Sequence, residues 1–595
     1  MIRILYLGLI LTVLFSCKND QKEDSQLAEK KAVSESFAKL LNDYNEEGLK
    51  LNPTKATDAG DNRYNDVFPN FLSKEHKEKT KAYYNKYKNA LEAIPDSMLS
   101  TTEQMSKAVL LWDCTINIDD FKFNKDLMPI DQMWSKNLDF NQYASGTTAQ
   151  PFKTVEDYNN WLKRVDDYLI WLNSAKENMQ KGMSSGYVLP KSLIVKVIPQ
   201  FESLATGAVE ENLYFSPAKN FPEAFSAEDK KALTETYTAM VKDKIIPAHQ
   251  EMTTFLKEVY LPAGRETSGI ADTPLGEAYY QHQIKKYTTT SMTAEEIHQL
   301  GLNEVARIRG EMEAVKKQVG FDGDLNAFFD HVRENKKLMP FTERSQVIAW
   351  YDSIHQVMKP QIDKLFDKQP KTPFEVRRTE PFREKSAAAN YSPGSLDGTR
   401  PGIFYTPIPD VTSYNIFDKE DLFLHEAIPG HHFQISLAQE NEDLPDFRKT
   451  LWYSAYGEGW ALYTESMGTE LGLYKDPYQY FGMLSSEIHR AIRLVVDTGI
   501  HAKGWTREQA IQYSLENEAE DAASIESEIE RYMANPGQAL SYKIGQLKII
   551  ALRDKAEKAL GDAFDIREFH NEILETGCIP LQLLEEKIDV WIASK

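Results

Sequence analysis

The sequence predicts an all-α, mainly helical protein, bilobal with a central cleft, and with a small β-sheet next to a metal-binding helix. Three observations lead there. Apolar residues recur at a 3.6-residue period over most of the chain, more helix than an average domain carries. The one stretch of strand-like character lies between Thr372 and Pro409. Directly after it, histidines and glutamates crowd into an apolar segment, Phe423–Gln434. At 595 residues the chain is long for one compact core and suits two lobes.

The first 16 residues, Met1-Ile2-Arg3 followed by Ile4–Ser16, have a positive start and an apolar run too short for a stable transmembrane helix, as a signal peptide does. The end of this run, Leu14-Phe15-Ser16-Cys17, resembles a bacterial lipobox, so Cys17 is the expected lipidated residue. Residues 17–30 read as a polar tether. Residues 31–595 form the helical body, with a helical part at 31–370 and a sheet-plus-metal-site part at 371–595. Amphipathic helices are expected at Leu27–Lys50, Ser73–Ile94 and Thr101–Asp119, the last behind a cap cluster of Ser97, Ser100 and Thr101. Met128–Thr154 reads as loop. A helix follows through Trp171 to Met183, then a long one from Ser226 through Leu256 bent at Pro247. Thr293 and Glu296 make a capping box for a helix through Val319. Strands are expected at Phe374–Arg378, Ala387–Tyr391 and Gly402–Thr406. An edge of that sheet can take an extended peptide by strand addition.

The formal net charge of −21 argues against nucleic acid and against an anionic membrane surface as partners. Membrane contact is expected through the lipid anchor alone. Besides Cys17 only Cys114 and Cys578 are present, both among apolar neighbours, and both read as buried free thiols.

The chemistry concentrates in His425-Glu426-Ala427-Ile428-Pro429-Gly430-His431-His432 and, after a polar gap, Glu458-Gly459-Trp460-Ala461-Leu462-Tyr463-Thr464-Glu465. A catalytic zinc takes three His or carboxylate ligands and keeps a fourth position for water. The usual H-E-x-x-H helix fails here, because the next His arrives two residues late. In a helix i and i+6 do not share a face. Pro429-Gly430 can act as a two-residue bulge that returns His431 toward His425. His432 is the alternative, on the same face but about 10 Å along the axis. Zn2+ is therefore expected on His425, His431 and Glu458, with Glu426 as general base and Glu465 in reserve for Glu458.

These two motifs resemble the signature of a bacterial family known as domain of unknown function 885, itself similar to the helical gluzincin metallopeptidases. The resemblance extends to Gly398–Tyr405 and to Pro536–Tyr542. It implies a zinc metallopeptidase acting on a peptide or amide substrate. It also implies that Tyr542 stabilises the tetrahedral intermediate.

One further helix, Tyr478–Lys503, carries Ser486, Arg490, Arg493, Asp497 and His501 on one narrow face of an otherwise apolar segment. Arg490 or Arg493 is a candidate for a substrate carboxylate. His501, oriented by Asp497, is a candidate oxyanion donor. Thr506 and Gln509 cap the next helix, and Pro536-Gly537 breaks the pattern before Tyr542. The expected function is hydrolysis of short peptides. The alternatives are a zinc amidohydrolase on a modified small molecule, or a non-catalytic peptide-binding surface lipoprotein.

Overall fold

The computed structural model describes residues 3–595 apart from 382–383, 385–386 and 396–399, and only the backbone of 3–24. The Cys17 side chain therefore lies outside the described residues, as do Met1, Ile2, Gly398 and Thr399.

The protein is mainly helical. The N-terminal segment is one helix, α1 (Arg3–Leu51), ending before Asn52-Pro53. Then come α2 (Lys74–Glu92) and α3 (Thr101–Asp120), the latter started by a capping box in which Ser100 and Glu103 satisfy each other's backbone N–H. Residues 128–154 hold a helix that the loop-like composition hid, Lys136–Ala144. α4 (Val155–Ser185) ends on Gly186 in the left-handed region. From Ala227 to Ala263 the chain stays helical, with π-helical turns at Val241–Ile245 and Leu256–Tyr260. Pro247 sits at the start of the α-helical turn after the first of these, so no sharp break is needed there. Next are α5 (Ala294–Gln318), capped by Thr293 and Glu296, and α6 (Arg344–Leu365).

The sheet has strand order β1-β3-β2. β1 (Phe374–Arg378) runs parallel to β3 (Gly402–Thr406), and β2 (Asn390–Ser392) pairs antiparallel to it. β2 starts three residues later than expected. Its first pair is Asn390 with Tyr405, and the alanines 387–389, poor strand formers, precede the ladder. The site helices follow: α7 (Lys419–Glu426), α8 (His431–Glu440), α9 (Ser454–Ser466), α10 (Pro477–Ala502), α11 (Ala522–Ala534) and α12 (Ser541–Leu560).

Two hydrophobic cores organise the chain. The smaller joins Phe68 to residues between Ile130 and Tyr260, around Trp161 and Trp171. The larger gathers α1–α3, α5, α6 and all the site helices. Residue 370 does not separate them, since α5 and α6 pack into the same core as α9 and α10. Cys114 and Cys578 are buried free thiols. Among the described residues no helix is long and apolar enough to cross a membrane.

Candidate metal centre

The site begins with a break in a helix. α7 stops at Glu426 because Ala427 leaves helical geometry (φ −106°, ψ −105°), and α8 begins at His431. The expected bulge inside one helix is thus two helices joined by a four-residue turn, with Ile428-Pro429 in cis. Gly430 is there because the chain doubles back tightly: a Cβ would overlap the carbonyl oxygens of Leu424 and His425. α9 holds the turn from behind. Trp460 Nε1 donates to the Pro429 carbonyl at 3.0 Å, and Thr464 Oγ1 to the Leu424 carbonyl at 2.9 Å.

This turn brings His425 and His431 together, ring centroids 4.9 Å apart and planes at 87°. Glu458 Oε2 lies 3.6 Å from His425 Nε2 and 3.7 Å from His431 Nε2. One donor atom from each of the three fits within 4.8 Å of the others. Ligands at about 2.0–2.2 Å around a tetrahedral zinc stand about 3.3–3.6 Å apart, so the donor set fits that ion. The far nitrogens are also engaged. His425 Nδ1 is 2.7 Å from Glu465 Oε1, and His431 Nδ1 is 3.5 Å from Gln434 Oε1. An acceptor on Nδ1 fixes the tautomer with its lone pair on Nε2, the nitrogen facing Glu458. Burial opposes a charge on His425, but hydrogen bonds to Glu458 and Glu465 outweigh it and hold its pKa up at about 10. A metal at Nε2 would have to displace that proton.

Of the alternatives left by spacing, the structure brings His431 and Glu458 beside His425. His432 points away to the sheet, with Nδ1 2.9 Å from the Tyr391 hydroxyl and 3.3 Å from Ser436 Oγ. Burial pushes its pKa down to about 4. Gly402 leaves room for that tyrosine–histidine contact. Glu465 stands behind His425, on its Nδ1 side, rather than beside Glu458. Neither Glu465 in this role nor Gln434 was singled out by sequence; the only signal was a carboxylate two turns beyond Glu458 on one face.

Glu426 accepts the backbone N–H of Tyr391 at 2.9 Å, so the β2 edge fixes the carboxylate beside the ligands. Tyr542 lies on α12, which packs closely on α9. Gly459 and Gly545 meet backbone to backbone, and Ser454 Oγ lies 2.7 Å from Ser541 Oγ, which sets α12 alongside the first turns of α9. Tyr542 is half-buried, and its hydroxyl has no hydrogen bond among the described residues.

The polar stripe of α10 is corrected in two places. His501 is fully buried, its Nδ1 accepting the Ile270 N–H at 3.0 Å and its Nε2 facing the Tyr532 carbonyl at 3.0 Å. Burial pushes its pKa to about 3, so it is a neutral core histidine with both nitrogens used. Asp497 does not orient it, but accepts from Tyr280 and from Gly537 N–H instead. Arg493 is engaged internally, with Glu528 at 3.1 Å and the Tyr532 hydroxyl at 3.0 Å. Its guanidinium lies 4.6 Å over the Tyr542 ring. It therefore supports Tyr542 rather than a substrate. Arg490 remains. α7 and α10 run in parallel, since Gly482 backs on Phe417-Asp418 and Asp421 hydrogen-bonds Ser486. That register sets Arg490 level with His425. Arg490 Nη1 donates to the Ser486 carbonyl at 3.1 Å, and Arg490 Nε, like Arg493 Nη1, is buried and unpartnered among the described residues.

A family described as "Bacterial protein of unknown function (DUF885)" matches residues 53–588. The chain belongs to this family. Among solved structures, a protein described as "the putative lipoprotein from Colwellia psychrerythraea" is 28% identical with a TM-score of 0.84, covering 94% of this chain and 99% of its own. A second, described as "a putative lipoprotein of unknown function from Shewanella oneidensis", is 20% identical with a TM-score of 0.74, covering 92% and 99%, and shows the same fold. Among curated proteins none matches.

Proposed function

We propose that this DUF885 chain is an exported zinc-dependent metallopeptidase that hydrolyses short peptides. The observation that carries the reading is the His425–His431–Glu458 donor set, with Glu465 behind His425 and Glu426 fixed beside it. Zinc held there would supply Lewis acidity for an amide carbonyl and would make a bound water acidic near neutral pH. Glu426 takes the proton from the attacking water and passes it to the leaving nitrogen as the C–N bond breaks. The Tyr542 hydroxyl is free to donate to the oxygen that becomes negative, a contribution of about 3–4 kcal/mol for one such donor. Arg490 is the candidate for a substrate carboxylate. In an antiparallel ladder a residue turns N–H and C=O to the same side. Tyr391 turns its N–H to Glu426, so its carbonyl faces the same way and can accept from an extended substrate.

The Leu14–Cys17 motif and the two neighbours described as lipoproteins support attachment to the bacterial envelope through Cys17. The deciding experiment compares wild type with Glu426→Gln on a peptide library, with and without chelator, alongside elemental analysis. The variant is expected to keep zinc and lose nearly all turnover. Full activity in it rejects Glu426 as the base, and chelator-insensitive cleavage rejects the metal.

A further inference from the structure

A cavity of about 240 Å3 opens beside Trp452, whose indole packs against His431. Its walls include Ile435 and Ala438 of α8, Leu451, Trp452, and Pro393 at the end of β2, with Gln434 at the side toward His431. Trp452 is the notable wall. It remains 44% exposed, yet its ring is held in place, with its centroid 5.7 Å from that of His431. It also lies flat on Gly457, where any Cβ would collide with the indole. An anchored, solvent-facing indole next to metal-binding side chains is apolar surface kept for a ligand.

We propose that this cavity is a specificity pocket for an apolar side chain, aromatic or branched aliphatic, of the substrate residue on the acyl side of the cleaved bond. The inference rests on the peptidase reading. The side rests on the role proposed for Arg490: a carboxylate held there belongs to the part of the peptide that leaves as amine, which assigns the pocket beside His431 to the acyl part. The size agrees, since an apolar cavity of about 150 Å3 already holds a benzene ring. Arg448 also borders the cavity, hydrogen-bonded to the Thr576 carbonyl and to Ser106 Oγ. At 1% exposure its guanidinium is sealed beneath the surface, whereas the indole is presented, so the apolar contact prevails.

The test measures peptide binding to zinc-loaded Glu426→Gln protein by calorimetry, apart from turnover. The peptides differ only at the acyl-side residue, carrying Phe, Leu, Gly or Glu. Phe and Leu are expected to bind about 10- to 100-fold tighter than Gly. Adding Trp452→Ala, or filling the cavity with Ile435→Trp, should collapse that ratio toward one while circular dichroism stays unchanged. Equal affinities, a preference for Glu, no binding at all, or a ratio that survives both variants overturns the pocket. If the preference holds but wild type cleaves none of these peptides, the pocket stands and the peptidase reading falls.

Discussion

At the scale of single residues, the centre depends on each imidazole having a stated job for both nitrogens. Glu465 is the clearest case. Replacing it with Ala leaves the three donor atoms in place but frees His425 Nδ1, and such losses typically weaken metal binding about 10- to 100-fold. Chelator competition should show that loss for Glu465→Ala, a larger one for His431→Ala, and none for His432→Ala. A larger loss for His432→Ala than for His431→Ala would reverse the ligand assignment. Ligand types and the bend at Pro429-Gly430 were legible because they are written in adjacent residues. The partners behind them were not, because spacing gives a face of a helix and not what meets it. His501 shows the limit. Its stripe on α10 reads as a polar cleft, but Ile270, Tyr280 and Tyr532 pack against that face and use it internally.

At the scale of elements, α9 and α12, which carry Glu458 and Tyr542, touch without side chains between them. A methyl on Gly545 would overlap the Ala455 carbonyl and the Gly459 backbone. Gly545→Ala is therefore expected to push the helices apart, with zinc content falling along with the melting temperature; a normal zinc content rejects the argument. α12 is also tied by Lys543, fully buried against Glu487 at 2.6 Å and Glu304 at 3.0 Å, which links α5, α10 and α12. Lys543→Met leaves two carboxylates short of a partner, and breaking a buried pair costs about 3–5 kcal/mol. Arg307, still 2.6 Å from Glu487, should keep the loss at the low end of that range in thermal melts. Helix starts were readable where a cap and its partner lie three residues apart, as at Ser100, Thr293 and Thr506. β1 and β3 were readable from their β-branched and aromatic residues. The Gly459–Gly545 contact was not, because it pairs residues far apart in sequence whose glycines signal nothing by themselves.

At the scale of the whole molecule, one periodicity runs through both cores, so the sequence offered no mark of where one ends. Both cores bury polar groups, and in the larger one Asp497 ties this to pH. Burial raises its pKa from 3.8 to about 7, although Tyr280 at 2.6 Å and the Gly537 N–H at 3.1 Å favour the charged form. The unfolded carboxyl loses its proton near pH 3.8 and the folded one near pH 7. Between those values the native state binds more protons than the unfolded state, so this group's contribution to stability falls as pH rises and is level above pH 7. At about 1.4 kcal/mol per pKa unit the total is about 4 kcal/mol at most. Asp497→Asn keeps an acceptor but cannot titrate, so other groups cancel when the two proteins are compared. Relative to the variant, wild type should be more stable at pH 5 than at pH 8, with the difference in melting temperature shifting by about 2 °C. Asp497 also holds Gly537 ahead of Tyr542, so the same variant should retain its zinc. A pH-independent difference means that Asp497 does not carry the proton, and the retained network would then rest on an ionised carboxylate.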